Sequence, residues 1–308
     1  MTRRSWLLMG LLAALWGASY LFIKVGLDGG LQPVFIVWAR IALGALVLVP
    51  IALRRGALKA VRGRGGAIVV MALVQVVVPF LLITYGERHI ASGLAGILVS
   101  SAPIFTALLA ARFDEDERPR GVAVAGLVLG ILGVVLLFGL ELSGDAEALA
   151  GGLMVLLASL GYAIGGLFLK HRLRGIAPVA IAASTMVAGA LVLTPVALFA
   201  LPSSAPSARA VASLLALGAG GTGLAFLIFY TLIAGIGPSR ATLVTYIAPG
   251  FAVVYGVWLL SEPLGAGALL GLALILLGSW VAAEGRWPGQ AKAAPAATSR
   301  PPPAREAT

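Results

Sequence analysis

The sequence predicts an all-α integral membrane protein with ten transmembrane helices, arranged as two inverted five-helix repeats. Three observations lead to this prediction: the apolar composition, the distribution of Lys and Arg, and an internal similarity at an offset of 146 residues. Apolar residues make up 60% of the 308-residue chain and charged residues only 11%, whereas soluble domains are about 25% charged. Because a water-soluble core cannot hold that much apolar surface, lipid is the expected solvent.

Ten apolar segments are long enough to cross a bilayer, which takes about 20 helical residues each. The first follows Arg3 and Arg4 and continues without a cleavage site, so a retained span is expected and not a cleaved signal peptide. The predicted spans are residues 5–25, 33–53, 66–85, 90–111, 121–140, 149–170, 179–201, 210–234, 239–260 and 264–283.

The basic residues predict how these spans are oriented. With the N-terminus in the cytoplasm, 18 of the 22 Lys and Arg residues fall in cytoplasmic segments, and only Arg88 and Arg209 fall in outer loops. Both termini of a multi-pass protein of the cytoplasmic membrane are then cytoplasmic. Residues 284–308 are rich in Pro, Ala and basic residues and predict a disordered cytoplasmic tail. The net charge of +10 therefore reflects orientation and does not indicate a nucleic-acid partner.

The internal similarity predicts two related units, residues 1–140 and 149–283. A shift of 146 residues places Pro103 on Pro249 and Phe105 on Phe251. Since each unit has an odd number of spans, the second enters the membrane from the opposite face, as in the inverted repeats of many secondary transporters. A mid-helix proline leaves a backbone carbonyl unpaired. Pro103 and Pro249 are therefore predicted to kink the fourth and ninth spans beside a midplane site and to permit gating.

Several segments resemble a known family. W-G-A-S-Y-L-F-I-K-V-G-L at residues 16–27 and W-A-R at 38–40 look like the opening of an EamA-type protein of the drug/metabolite transporter superfamily. The proline of the fourth span, the acidic segment 114–117 and a glycine-rich fifth span follow, and S-R-A-T-L-V-T-Y-I-A-P and L-L-S-E-P-L repeat the order in the second unit. The resemblance covers residues 5–283. It implies ten helices around a central cavity and export or exchange of small metabolites, among which amino acids, nucleosides, sugars and drugs all occur.

Arg40 is the sharpest candidate for substrate binding. It lies about seven residues into the second span, or about 10 Å below the outer surface at 1.5 Å per residue. An ionisable residue at such a depth marks function by default, and a guanidinium suits a carboxylate or a phosphate. The alternative is an arginine that snorkels outward or holds backbone carbonyls. The repeat places Met186 opposite Arg40, so the two units are not expected to contribute equally.

Other candidates are aromatic and polar residues within the spans. Their alternative roles are core packing and helix–helix hydrogen bonds. The substrate-binding candidates besides Arg40 are Trp16, Gln75, Ser100, Ser101, Tyr162, Tyr230 and Tyr246, with Thr222 and Thr245 as further mid-span polar groups. Lys24, near the outer end of the first span, either snorkels or takes part in gating. Glycine pairs in the fifth and tenth spans predict packing against each other or against another subunit, which leaves a homodimer open.

The acidic residues and histidines limit the possible chemistry. All twelve acids lie in loops, tails or span ends, so proton coupling is either absent or uses Glu87 or Glu262 at the outer mouth. The two histidines lie at span ends and there is no cysteine, so neither a metal site nor a cofactor is expected. The predicted function is a secondary exporter of small metabolites, amino acids or related compounds, that works by alternating access and is not an enzyme. The alternatives are a non-transporting sensor or scaffold and a membrane-embedded enzyme.

Overall fold

Within the described residues, ten apolar helical segments follow one another in sequence. The structure is a computed structural model that describes residues 1–113 and 118–285, and all regular secondary structure in these two ranges is helical. The acidic segment 114–117 and the tail from residue 286 onward, for which the sequence predicts a loop and disorder, lie outside the described residues.

Nine helices in the described ranges are long and apolar enough to cross a membrane. They are α1 (Arg3–Asp28), α2 (Pro33–Arg54), α3 (Gly65–Gly86), α4 (Ser92–Phe113), α5 (Val122–Glu141), α6 (Ala146–Arg172), α7 (Pro178–Ala200), α8 (Ala208–Ile236) and α10 (Ala266–Glu284). The ninth predicted span, α9, consists of a short piece, Pro238–Ala241, and a longer one, Val244–Leu260. The 17 residues of the longer piece extend about 26 Å, slightly less than the hydrocarbon thickness of a bilayer.

Two helices widen into π-helical turns at related positions. In α3 the π-helix covers Leu73–Val77 and includes Gln75, and in α8 it covers Ala216–Leu224 and includes Thr222. The offset of 146 residues carries the first segment into the second. A π-helical turn leaves the regular backbone ladder and is frequent at functional sites.

The two repeat-related prolines have different local structures. Helix α4 is interrupted at Ser100 and Ser101, and Pro103 is the second residue of its continuation, Ala102–Phe113, where its missing N–H leaves no internal bond broken. Pro249 lies inside the unbroken piece Val244–Leu260, and α9 is interrupted earlier, at residues 242–243. The two interruptions therefore do not coincide under the repeat.

Glycines allow helices α5 and α10 to pack against each other. This is one of the two predicted alternatives, the other being packing against another subunit. A Cβ added at Gly126 would lie 2.5 Å from the backbone nitrogen of Ala282, and one at Gly133 would lie 2.8 Å from Leu274 Cβ. At Gly278 an added Cβ would collide with the backbone of Gly130. Small residues let two helix backbones approach closely, which is how helices associate in lipid.

The outer surface of the helices is apolar. Large side chains such as Leu46, Trp258 and Phe199 are 70%, 79% and 92% exposed. Contiguous apolar exposure of this kind is unfavourable in water and expected of a surface that faces lipid. The chain is therefore a multi-pass membrane protein, and its few buried polar side chains mark the interior positions where a site can lie.

Candidate functional site

Arg40 is held inside the helical assembly by one hydrogen bond and one aromatic ring. The side chain is 8% exposed, its Nε donates to Thr222 Oγ1 at 2.9 Å, and its Cζ lies 3.8 Å above the centre of the Phe80 ring. Phe80 belongs to α3 and Thr222 to the π-helical turn of α8. Three helices thus fix the guanidinium, through a charge-assisted hydrogen bond and a cation–π contact.

Glycines bring Thr222 close enough to accept this hydrogen bond. A Cβ added at Gly44 of α2 would lie 2.8 Å from Thr222 Cγ2, and one added at Gly218 of α8 would lie 2.5 Å from Leu43 Cβ. Neither position has room for a side chain. The glycines of α8 are therefore part of the structure that positions Arg40.

Arg40 lies within 4.0 Å of no carboxylate in the described parts of the chain. The titratable groups in its electrostatic surroundings are Tyr20 of α1, Tyr162 of α6 and Glu87. We call Arg40 and these three residues the Arg40 cluster. A buried cation without a paired anion is costly unless something neutralises it. Arg40 is therefore the buried cation of the described residues whose neutralisation has to be explained.

The structure places Tyr162, of the predicted aromatic candidates, in this cluster. Sequence reasoning missed Tyr20 and Phe80. Tyr20 follows Trp16 by four residues, so the two share a helix face, and this spacing could have revealed it. Phe80 carries no polar group, and nothing in the sequence distinguishes it from other apolar residues of the third span.

Trp16 and Tyr230 lie in a separate aromatic group between α1 and α8. The Trp16 ring is 5.3 Å from Phe229 and 6.3 Å from Phe226 between centroids, and Phe226 is 5.9 Å from Tyr230. All four rings are partly exposed. Tyr246 is further away in the fold: its hydroxyl donates to the carbonyl of Ser279 on α10 at 3.5 Å.

The remaining polar candidates differ in whether their hydrogen bonds are satisfied. The hydroxyls of Ser100 and Ser101 donate to the carbonyls of Ile97 and Leu98 in their own helix, at 2.5 and 2.6 Å. Gln75 instead has a buried Oε1 without a hydrogen-bond partner. Its amide lies directly against Gly165, one turn from Tyr162. Gln75 therefore has an unpaired hydrogen-bond acceptor next to α6, the helix that carries Tyr162. The two serine hydroxyls instead pair with backbone carbonyls at the interruption of α4.

The two glutamates that the sequence could not separate have different environments. Glu262 Oε1 accepts from the Ser92 backbone nitrogen at 2.8 Å, and its Oε2 accepts from the Ser92 hydroxyl at 2.8 Å and from the Gly93 nitrogen at 3.1 Å. Glu87, which directly follows α3, is completely buried, and neither of its carboxyl oxygens has a hydrogen-bond partner. Lys24 donates to the backbone carbonyl of Glu87 at 3.0 Å.

Lys24 also borders a cavity at the same end of the protein. The cavity has a volume of about 320 Å³. Its charged lining residues are Lys24, Asp28 and Arg88. Across the described ranges no three His, Cys, Asp or Glu residues are grouped as a metal would require.

The fold and the buried polar cluster define a helical membrane protein with a buried arginine in its interior. The sequence profile described as the EamA-like transporter family matches residues 4–139 and again residues 149–283. The chain therefore belongs to the EamA-like transporter family.

Individual relatives agree with this assignment. "Uncharacterized transporter YoaV" of Bacillus subtilis is 29% identical over 268 residues, which cover 86% of this chain and 91% of that protein. "Probable terminal-alkyne amino-acid exporter" of Streptantibioticus cattleyicolor is 30% identical over 281 residues, 85% and 89% of the two chains. "Probable amino-acid metabolite efflux pump" of Escherichia coli is 26% identical over 299 residues, 93% and 97% of the two chains. A solved crystal structure with a TM-score of 0.65 and 21% identity covers 92% of this chain and 98% of its own and shares the fold.

Proposed function

We propose that this protein is a secondary transporter of the cytoplasmic membrane that exports small carboxylate-bearing metabolites, amino acids or related compounds. The observation that carries the proposal is Arg40: a buried guanidinium, fixed by Thr222 and Phe80, without a carboxylate partner in the described ranges. A substrate carboxylate would complete the ion pair. Two relatives whose names mention amino-acid export, from Escherichia coli and Streptantibioticus cattleyicolor, favour this substrate class over other anions.

The proposed mechanism is alternating access between two five-helix units, residues 1–140 and 149–283, in inverted orientation. Its support is the sequence repeat, the odd helix number of each unit and the related π-helical turns of α3 and α8. The interruptions of α4 and α9 give each unit one helix that can bend without losing internal hydrogen bonds. Trp16, Gln75, Tyr162, Tyr230 and Tyr246 remain candidates for lining the path of the substrate, with Ser100, Ser101, Pro103 and Pro249 at or near the bends.

The proposed orientation puts both termini in the cytoplasm and the end with Lys24, Glu87 and Glu262 outside. The distribution of basic residues supports it, since 18 of 22 then face the cytoplasm or lie in the tail. Hydrogen bonds from Ser92 and Gly93 to Glu262 join α4 of the first unit to the connection that follows α9 of the second. In this orientation the bonds tie the two units together at the outer end, which supports an exporter that loads from the cytoplasm. The proposed partners are the small-molecule substrate and the lipid bilayer, and a homodimer stays open.

The experiment that tests the proposal is metabolite profiling of the medium from cells that overproduce the wild type, Arg40→Ala or Arg209→Ala. Arg209 is an exposed residue in the first turn of α8 and serves as the matched control. Export of specific carboxylate-bearing metabolites by the wild type and by Arg209→Ala, and its loss in Arg40→Ala at equal membrane abundance, is expected. Medium that is identical for all strains would contradict a transporter and favour the sensor or scaffold.

A further inference from the structure

We propose that Glu87 is the second half of the binding site: it carries a proton when the site is empty and the ammonium group of an amino acid when the site is occupied. This inference rests on the proposed function and specifies its substrate as a zwitterion. The carboxylate of the amino acid pairs with Arg40, and its ammonium replaces the proton on Glu87. The inference separates the two glutamates that the sequence leaves equivalent as coupling residues.

The burial of Glu87 is the first observation. The side chain is 0% exposed and both carboxyl oxygens lack hydrogen-bond partners. An ionised carboxylate in such a place loses its hydration and gains no hydrogen bond in return, so the neutral acid is the stable form. Burial holds the pKa of the Glu87 carboxyl well above its usual range, and Lys24 opposes this effect only in part.

The titratable groups around Glu87 are the second observation. The charged and titratable groups that act on it are Lys24 and Tyr20 of α1, Arg40 of α2 and Glu262 of the connection after α9. Tyr162 of α6 acts on both Arg40 and Tyr20, and His89 pairs with Glu147 at the start of α6. No salt bridge within 4.0 Å joins Arg40 and Glu87, which are both described residues. Because the guanidinium and the carboxyl group do not pair with each other, each is open to one end of an amino acid.

Glu262 cannot fill this role in the structure, because its carboxylate already accepts three hydrogen bonds at the start of α4. Lys24 also leaves the Glu87 carboxyl group available, since its Nζ donates to the backbone carbonyl of Glu87.

The exchange step balances in charge and atoms. The carboxylic acid of Glu87 gives its proton to water on the side from which the amino acid enters, and the resulting carboxylate pairs with the ammonium group. After the amino acid leaves on the other side, Glu87 takes up a proton there. Because the proton and the ammonium compete for one carboxylate, outward movement of an amino acid is coupled to inward movement of a proton.

The test measures proton release by purified protein in weakly buffered solution at neutral pH with a pH indicator dye. The probes are a mixture of the standard L-amino acids, each amino acid alone, and the matching 2-hydroxy acids, which keep the carboxylate but lack the ammonium. Binding is followed in parallel by the shift in melting temperature. We expect amino acids to bind with release of a proton and 2-hydroxy acids to bind without release. Glu87→Gln should abolish the release, and Glu262→Gln should retain it at saturating amino acid.

Infrared difference spectra of the wild type make the test independent of whether Glu87→Gln folds. The carbonyl band of a protonated carboxylic acid should be present in the empty protein and should disappear when an amino acid is added. Three results would overturn the inference and leave the proposed transport function standing. They are amino acids that bind without proton release, an empty protein without that band, and an ion pair between Lys24 and the Glu87 carboxylate. Binding of 2-hydroxy acids but of no amino acid would likewise overturn it. If neither class binds, the proposed function fails with it.

Discussion

Glu262 and Ser92 are joined by two hydrogen bonds of 2.8 Å, one from the Ser92 backbone nitrogen and one from its hydroxyl. The bonds connect the loop after α9 with the first turn of α4. A carboxylate at a helix N-terminus satisfies N–H groups that have no partner inside the helix and interacts favourably with the helix dipole. One side chain therefore links the loop after α9 to the start of α4.

Glu262→Ala should open this end. Loss of a helix cap of about 1 kcal/mol corresponds to about a fivefold change in population. Because the chain has no cysteine, Val257→Cys, which lines the cavity beside Glu262, supplies a single thiol. Its labelling by a membrane-impermeant maleimide should accelerate about fivefold in Glu262→Ala. Glu147→Ala, at the same end and 81% exposed, is the control, and equal labelling rates in both variants would show that the Ser92 contact does not govern opening.

Thr222→Val should weaken substrate binding without unfolding the protein. The substitution removes the acceptor of Arg40 Nε and keeps the shape of the side chain. Since a hydrogen bond to a charged group contributes about 1.5–3 kcal/mol, substrate affinity should fall about tenfold or more. Thr222→Ser keeps the hydroxyl and should retain wild-type affinity. If the Val variant binds as tightly as the Ser variant, Thr222 does not position Arg40.

Gly278→Ala should destabilise the pair of helices α5 and α10. The added Cβ would collide with the backbone of Gly130, and backbone atoms cannot move aside as a flexible side chain does. Overpacking of this kind costs about 1–3 kcal/mol, which lowers the melting temperature of the detergent-solubilised protein. Gly139→Ala, also in this helix pair, meets no atom within 4 Å and should leave the melting temperature unchanged or raised. A tolerated Gly278→Ala would mean that the two helices are not packed as described.

Glu87 should make stability decrease as the pH rises. Its pKa is raised above the ordinary 4.5 by burial, so above that value the folded protein binds a proton that the unfolded chain has lost. The free energy of unfolding is then highest in acid, falls as the pH rises through 4.5, and levels off once Glu87 ionises in the folded state. Glu87→Gln should be more stable than the wild type at neutral pH, with the difference shrinking toward pH 4.5. Parallel melting curves at all pH values would contradict a buried neutral Glu87.

The helices could be predicted from the sequence because the bilayer imposes a minimum length and an apolar composition on every span. It separated nine spans correctly, and α9 differs because the chain turns at residues 242–243. A proline in the pattern does not by itself locate a break: α4 breaks before Pro103, whereas α9 continues through Pro249. The tertiary structure decides which carbonyls find other partners, and a single sequence does not show this.

The candidate site was predictable to the extent that it contains an isolated charge. Arg40 stands out in an apolar span, and Tyr162 follows from the repeat. Phe80 and the distinction between Glu87 and Glu262 depend on contacts between distant segments. Hydrogen bonds to Glu262 span about 170 residues of sequence, a separation at which no local pattern indicates contact.

The measurement that most directly tests the central claim is counterflow in proteoliposomes. Vesicles with the wild type, Arg40→Ala or Arg40→Lys are loaded with an unlabelled amino acid identified by metabolite profiling, and entry of the same labelled compound is followed. The wild type should exchange the label and Arg40→Ala should not. Arg40→Lys should be impaired, because an ammonium cannot form the two-pronged contact of a guanidinium. Exchange by Arg40→Ala at the wild-type rate would contradict the assignment of Arg40 as the residue that binds the substrate carboxylate.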